Sequence, residues 1–184
     1  MNALSTLTPR GRTTAVAALM VAAGVALTLG FACALPLAAF AAAAAMLFGP
    51  AAAVGSILAV WLANQVVGFA CLGYAADTST FAWGAALGAI ALLSLGAAGA
   101  VLARVRGLAG AGLSFLAAFV VYEGAVYLGC LLSGTCGSDF TPANVARVFM
   151  INAVTFAGFL ALRALGQRAV PARESSKAHA LRHA

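Results

Sequence analysis

Two stretches of this chain repeat one spacing of polar side chains. Asn64, Gly68 and Cys71 stand at i, i+4 and i+7, and Glu123, Tyr127 and Cys130 repeat the interval. Positions so spaced share one face of an α-helix. One face therefore presents an amide, a gap and a thiol, and the other a carboxylate, a phenol and a thiol. Gln65 flanks the first set. Asn144, Arg147 and Asn152 cover a broader arc of about 140°, by the rotation per residue of an ideal helix. These groups suit ligand binding. Glu123 matches an ammonium or hydroxyl, and Arg147 a carboxylate or phosphate.

They do not suit bond cleavage. The sequence has no Ser-His-Asp set, no H-E-x-x-H, no phosphate-cradling glycine loop before a helix and no paired histidines for haem. His179 and His183 both stand near the C-terminus. We expect no catalytic residues, no resident metal and no cofactor. The four cysteines, Cys33, Cys71, Cys130 and Cys136, leave three readings open. Cys130 with Cys136, and Cys33 with Cys71, can form disulfides in an oxidising compartment. The thiols can instead contact a ligand, including the metal of a corrinoid. A protein-held metal site is the third reading, and it lacks the C-x-x-C spacing.

Composition says what must position these groups. Of 184 residues, 64% are hydrophobic and 8% charged. Soluble domains carry about 25% charged residues because their surface faces water. A span of about 20 apolar residues crosses about 30 Å of hydrocarbon. The expected fold is all-α, a polytopic integral membrane bundle of six transmembrane helices over 13–33, 36–49, 51–73, 81–103, 108–132 and 143–165. The second is short: roughly 14 residues reach about 21 Å. The transmembrane domain is expected to occupy 1–166, and 167–184 to form a flexible basic cytoplasmic tail. Arg10, Arg12 and the apolar stretch after them could be a signal peptide, but that stretch runs directly into more apolar sequence. We read it as a retained first span.

Charge orients the bundle. Arg10 and Arg12 precede the first span, Arg104 and Arg106 break the middle, and Arg163, Arg168, Arg173, Lys177 and Arg182 close the chain. Short-loop Lys and Arg stay on the cytoplasmic side, so both termini are expected there. Arg147 is the exception, and pairing with Glu123 across the last hairpin is the expected remedy. The net charge of +6 is dispersed over three segments rather than gathered in a patch, which argues against nucleic acid as a partner. The bilayer and a small ligand from the outer side are the expected partners. Outward ends would hold the loops at 75–80 and 133–141. Asp77 is the acidic residue of the first. Tyr74, Trp83, Tyr122 and Tyr127 also fall toward that side, as interfacial anchors or as a stacking wall.

Ala18, Ala22, Ala26 and Gly30 lie four apart on the first span, and Gly84 and Gly88 repeat the spacing on the fourth. Small residues let helix backbones approach closely in lipid, within the bundle or against another subunit. A bundle of this size, with both ends cytoplasmic, resembles the substrate-binding S components of energy-coupling-factor vitamin transporters. The resemblance is one of architecture. It implies docking of Ala18, Ala22 and Ala26 on a transmembrane coupling subunit driven by separate ATPases. It also implies lids at 77–80 and 133–141, and a pocket near Trp61, Asn64, Gln65, Gly68 and Phe69. The protein would then be a non-enzymatic uptake subunit for a small vitamin-like or corrinoid compound, in a bacterial cytoplasmic (inner) membrane. Its expected substrate contacts are Asn64, Gln65, Asp77, Glu123, Tyr127, Asn144, Arg147 and Asn152. A self-sufficient small-solute or metal permease, or a scaffold without ligand, is the competing reading.

Overall fold

Several of the apolar runs are bounded by proline, glycine or a capping carboxylate. The computed structural model describes residues 8–31, 35–134, 136 and 140–168. Among these, six helices and no strands are found: α1 (Pro9–Phe31), α2 (Leu37–Leu47), α3 (Pro50–Cys71), α4 (Thr78–Leu102), α5 (Gly107–Ser133) and α6 (Pro142–Arg168). Pro50 opens α3 at its first turn, where a missing N–H loses nothing. Asp77 caps α4 by accepting from the Thr80 N–H at 2.7 Å. Gly134, with φ 68°, closes α5 in the left-handed conformation that Gly adopts freely. α6 continues through Arg168, and residues 169–184, most of the expected tail, lie outside the described set.

Side-chain register gives the topology. Gly24 lies against Val60, and Thr28 bonds Asn64. Both partners advance by four, so α1 and α3 run parallel. Gly88 seats Trp61 and Gly84 seats Gln65, a reversed order that makes α3 and α4 antiparallel. Phe115 stacks on Phe156 at 5.0 Å and Phe119 meets Phe149 at 5.0 Å, which sets α5 antiparallel to α6. With α1 and α3 parallel, the chain between Phe31 and Pro50 must return through the bundle.

That return is α2, and it explains the short second span. Five helices are long and apolar enough to cross a membrane, whereas α2 has 11 residues. Every residue from Leu37 to Ala44 is buried. A helix apolar on all sides belongs inside a protein, and one enclosed by neighbours need not match the bilayer's thickness. Its N-terminus is held by Asn152, whose Oδ1 accepts from the Ala39 N–H at 3.0 Å. Asn152 lies about 15 Å below the start of α6, at about 1.5 Å per residue. The central helix thus begins near mid-depth and runs toward the end that holds Met46, Leu102, Arg106 and Arg163.

The five long helices bury only 17–33% of their most apolar windows. Their exposed side chains include Leu62, Val66, Leu93, Val120 and Val154, a surface that lipid solvates and water would not. The protein is a multi-pass membrane protein in contact with the bilayer. Arg12, Arg104, Arg106 and Arg163 gather at one end, where α1 begins and α6 finishes.

Candidate functional site

The arginine-poor end collects most of the chemically versatile side chains, by four separate local arrangements. On α3, Asn64 is buried at 8% exposure and faces α1. Thr28 Oγ1 lies 3.0 Å from Asn64 Oδ1 and 2.9 Å from the Gly24 carbonyl. One hydroxyl proton cannot serve both acceptors. Both are satisfied when Thr28 donates to Gly24 and the Asn64 amide turns its NH2 toward Oγ1. Gln65 is half-buried and rests on Gly84, where an added β-carbon would come within 2.6 Å of its Oε1. Beside it, Trp61 Nε1–H donates to the Gly84 carbonyl at 2.8 Å, tying α3 to α4.

On α5, Glu123 is half-buried, between Tyr122 in the core margin and Tyr127 one turn outward. Among the described residues Glu123 has neither an ion pair nor a hydrogen-bond partner. Tyr127 is 46% exposed and meets Phe140 edge-on at 5.0 Å. Cys130 and Cys136 form a disulfide, with Cys136 Sγ 3.8 Å from the Tyr127 carbonyl. This is one of the two pairings weighed from spacing. Of the other, Cys71 is an exposed free thiol and Cys33 lies outside the described residues.

The Glu123–Arg147 pair does not form. The face of α6 turned into the bundle carries Phe149, Asn152, Phe156 and Phe159. Arg147 is displaced by two residues from Phe149, about 200° around the helix, and is exposed. It lies close to the start of α6, where a long side chain can extend toward water, and it has no ion pair or hydrogen bond among the described residues. Asn144 is exposed too, with its N–H donating to Thr141 Oγ1 in the first turn.

Asn152 is fully buried, and both ends of its amide serve the fold: Oδ1 takes the Ala39 N–H, and Nδ2 donates to the Val148 carbonyl at 3.0 Å. Asp77 is exposed in the loop before α4. The Thr80 N–H and then its hydroxyl hold the Asp77 carboxyl below its ordinary pKa. Among the described residues, no hydrogen bond joins Asn64, Gln65, Glu123, Tyr127 or Asn152 to one another. Among the described residues, the side chains of Gln65, Glu123, Tyr127 and Arg147 make no hydrogen bond or ion pair, and Asp77 keeps one carboxylate oxygen free of the Thr80 N–H. No cluster of three or more His, Cys, Asp or Glu occurs among the described residues.

Two features lay beyond sequence reasoning. Tyr74 folds back over Gly68, its ring occupying the space a β-carbon would need, while its N–H donates to the Gly68 carbonyl at 3.1 Å. The gap expected at Gly68 is therefore filled by Tyr74. Ala18, Ala22, Ala26 and Gly30 are exposed, while Met20, Gly24 and Thr28 on the opposite side of α1 face the bundle. The small-residue stripe plays no part in internal packing.

Comparison of the chain with protein-family models, curated proteins and solved structures finds no match.

Proposed function

We propose that the protein is a non-enzymatic membrane subunit that captures a small vitamin-like or corrinoid compound at its arginine-poor end. That end faces outward, both termini are cytoplasmic, and the membrane is a bacterial inner membrane. The observation that carries this reading is the half-buried Glu123, which has no partner among the described residues. It stands one turn below exposed Tyr127 and about two turns below Cys130 of the Cys130–Cys136 bond. A carboxylate left unpaired within a bilayer is costly, and such residues mark ligand or ion paths. Tyr127 supplies a neutral hydrogen-bonding group one turn from it on α5, and Gln65, Asp77 and Arg147 are further contacts offered by the same end of the bundle. Asn64 and Asn152 brace the surrounding helices.

No acidic relay accompanies Glu123 on α5, so proton coupling is not part of the proposal. The exposed stripe at Ala18, Ala22 and Ala26 supports docking to a transmembrane coupling subunit with ATPases, as in the S components described above. It favours that arrangement over a self-sufficient permease.

Native mass spectrometry of the protein purified in mild detergent tests the proposal. The wild type should carry a discrete non-lipid adduct of small-molecule mass, diminished in both Glu123→Gln and Tyr127→Ala. A wild-type protein that neither retains such an adduct nor binds any of a panel of vitamins and corrinoids would overturn it.

A further inference from the structure

The opposite end of the bundle holds a second feature, independent of the ligand reading above. A cleft of about 710 Å³ opens between the end of α2, the α4–α5 turn and the last part of α6. Met46, Leu102, Leu108 and Leu160 form apolar walls, and Arg106 and Arg163 line the same space. Neither guanidinium has an ion pair or hydrogen bond among the described residues. Arg104, two residues away, is different: its Nη1 donates to the Ala100 carbonyl at 2.9 Å and closes the end of α4. The only carboxylates among the described residues, Asp77 and Glu123, belong to the other half of the molecule.

The backbone adds to this positive field. Arg106 is the N-cap of α5 and no side chain caps that first turn. The orphan N–H groups of the turn and the positive end of the helix dipole therefore reinforce the guanidinium charge. Gly107, with φ 74°, and Leu108 both line the cleft. Leu108 is 81% exposed.

We infer that this cleft binds the phosphate headgroup of an anionic phospholipid, with Arg106 and Arg163 on the phosphate and an acyl chain along Leu108 and Leu160. Two cations without a partner among the described residues, over apolar walls at the rim where five spans end, match an anion that carries its own hydrocarbon. Basic pockets between transmembrane helices bind lipid headgroups by this combination of charge and apolar contact. A free phosphate would use the arginines but leave the apolar walls without a role.

Native mass spectrometry of the full chain, with dioleoyl-phosphatidylglycerol or dioleoyl-phosphatidylcholine added in turn, tests the inference. The wild type should retain phosphatidylglycerol in preference to phosphatidylcholine. The double variant Arg106→Gln/Arg163→Gln should lose that preference by about tenfold, while Arg104→Gln keeps it. Both substituted residues are exposed, and an unchanged melting temperature in detergent separates loss of binding from loss of fold. If the double variant melts early, Arg106→Lys/Arg163→Lys takes its place and should keep a weakened preference. Equal retention of the two lipids by the wild type, or an undiminished preference in the well-folded double variant, would overturn the inference. Displacement of phosphatidylglycerol by millimolar inorganic phosphate alone would overturn it too, in favour of a free anion.

Discussion

Asn152 Oδ1 accepts a 3.0 Å hydrogen bond from the Ala39 N–H, so that a side chain of the last helix caps the first turn of the buried second one. The preceding Pro36 has no N–H to offer, and no side chain of its own segment caps α2. An orphan donor in hydrocarbon has no water to turn to. Asn152→Leu should therefore lower stability in detergent by about 1–3 kcal/mol, the usual consequence of leaving a buried group unsatisfied. Asn144→Leu, at an exposed position on the same helix, should change it far less. Thermal unfolding of the two variants side by side makes the comparison.

The α4–α5 turn depends on a bare backbone at Gly110. A β-carbon there would run into the Val105 carbonyl, which is backbone and cannot swing aside. Gly110→Ala should cost about 1–3 kcal/mol by overpacking. Two residues on, a β-carbon on Gly112 would meet nothing within 4 Å, so Gly112→Ala should be neutral or stabilising. Melting temperatures of both variants check the contrast.

Asp77 offers a pH test outside the membrane. Hydrogen bonds from Thr80 favour its charged form and lower its pKa from the ordinary 3.8. A group whose folded pKa is depressed contributes stability above its unfolded pKa and loses it as pH falls through the folded value. The cap should thus act fully at neutral pH and fade below about pH 3.8. Asp77→Ala should be less stable than wild type at pH 7, with the gap closing in acid. Asp77→Asn, which can still cap, should lose the pH dependence while keeping much of the stability. Unfolding midpoints across pH 2–7 would show both.

Thiol counting addresses the loop that follows α5. In a Cys33→Ala variant, a maleimide should modify Cys71 alone before reduction, because Cys130 and Cys136 are joined. After reduction under denaturing conditions, all three remaining cysteines should react. Modification of all three without reductant would contradict the bond.

Much of the architecture was legible because the punctuation is chemical. Pro50, Asp77, Arg104, Arg106, Gly134 and Pro142 interrupt otherwise apolar runs, and the helices end within a few residues of them. The role of α2 was written less openly. Its run of alanines after Leu37 shows a helix without a polar face, which is compatible with lipid on one side or protein on every side; only the packing decides. Candidate site residues divided in the same way. The depth of Glu123 and Tyr127 followed from counting along α5, whereas the outward phase of Arg147 depended on which side of α6 meets α2 and α5. The partnerships of Asn152 with Ala39 and of Tyr74 with Gly68 rest on tertiary approach, which no periodicity carries.

Capture from outside requires the arginine-poor end of the bundle to face outward, and substituted-cysteine labelling measures that directly. In a background lacking Cys33 and Cys71, Ser79→Cys and Ala103→Cys place single exposed thiols at opposite ends. A membrane-impermeant maleimide applied to intact cells should label position 79 and leave position 103 untouched until the membrane is opened. Labelling of 103 with protection of 79 would invert the bundle, turning Glu123 and Tyr127 toward the cytoplasm and removing the basis for capture from outside.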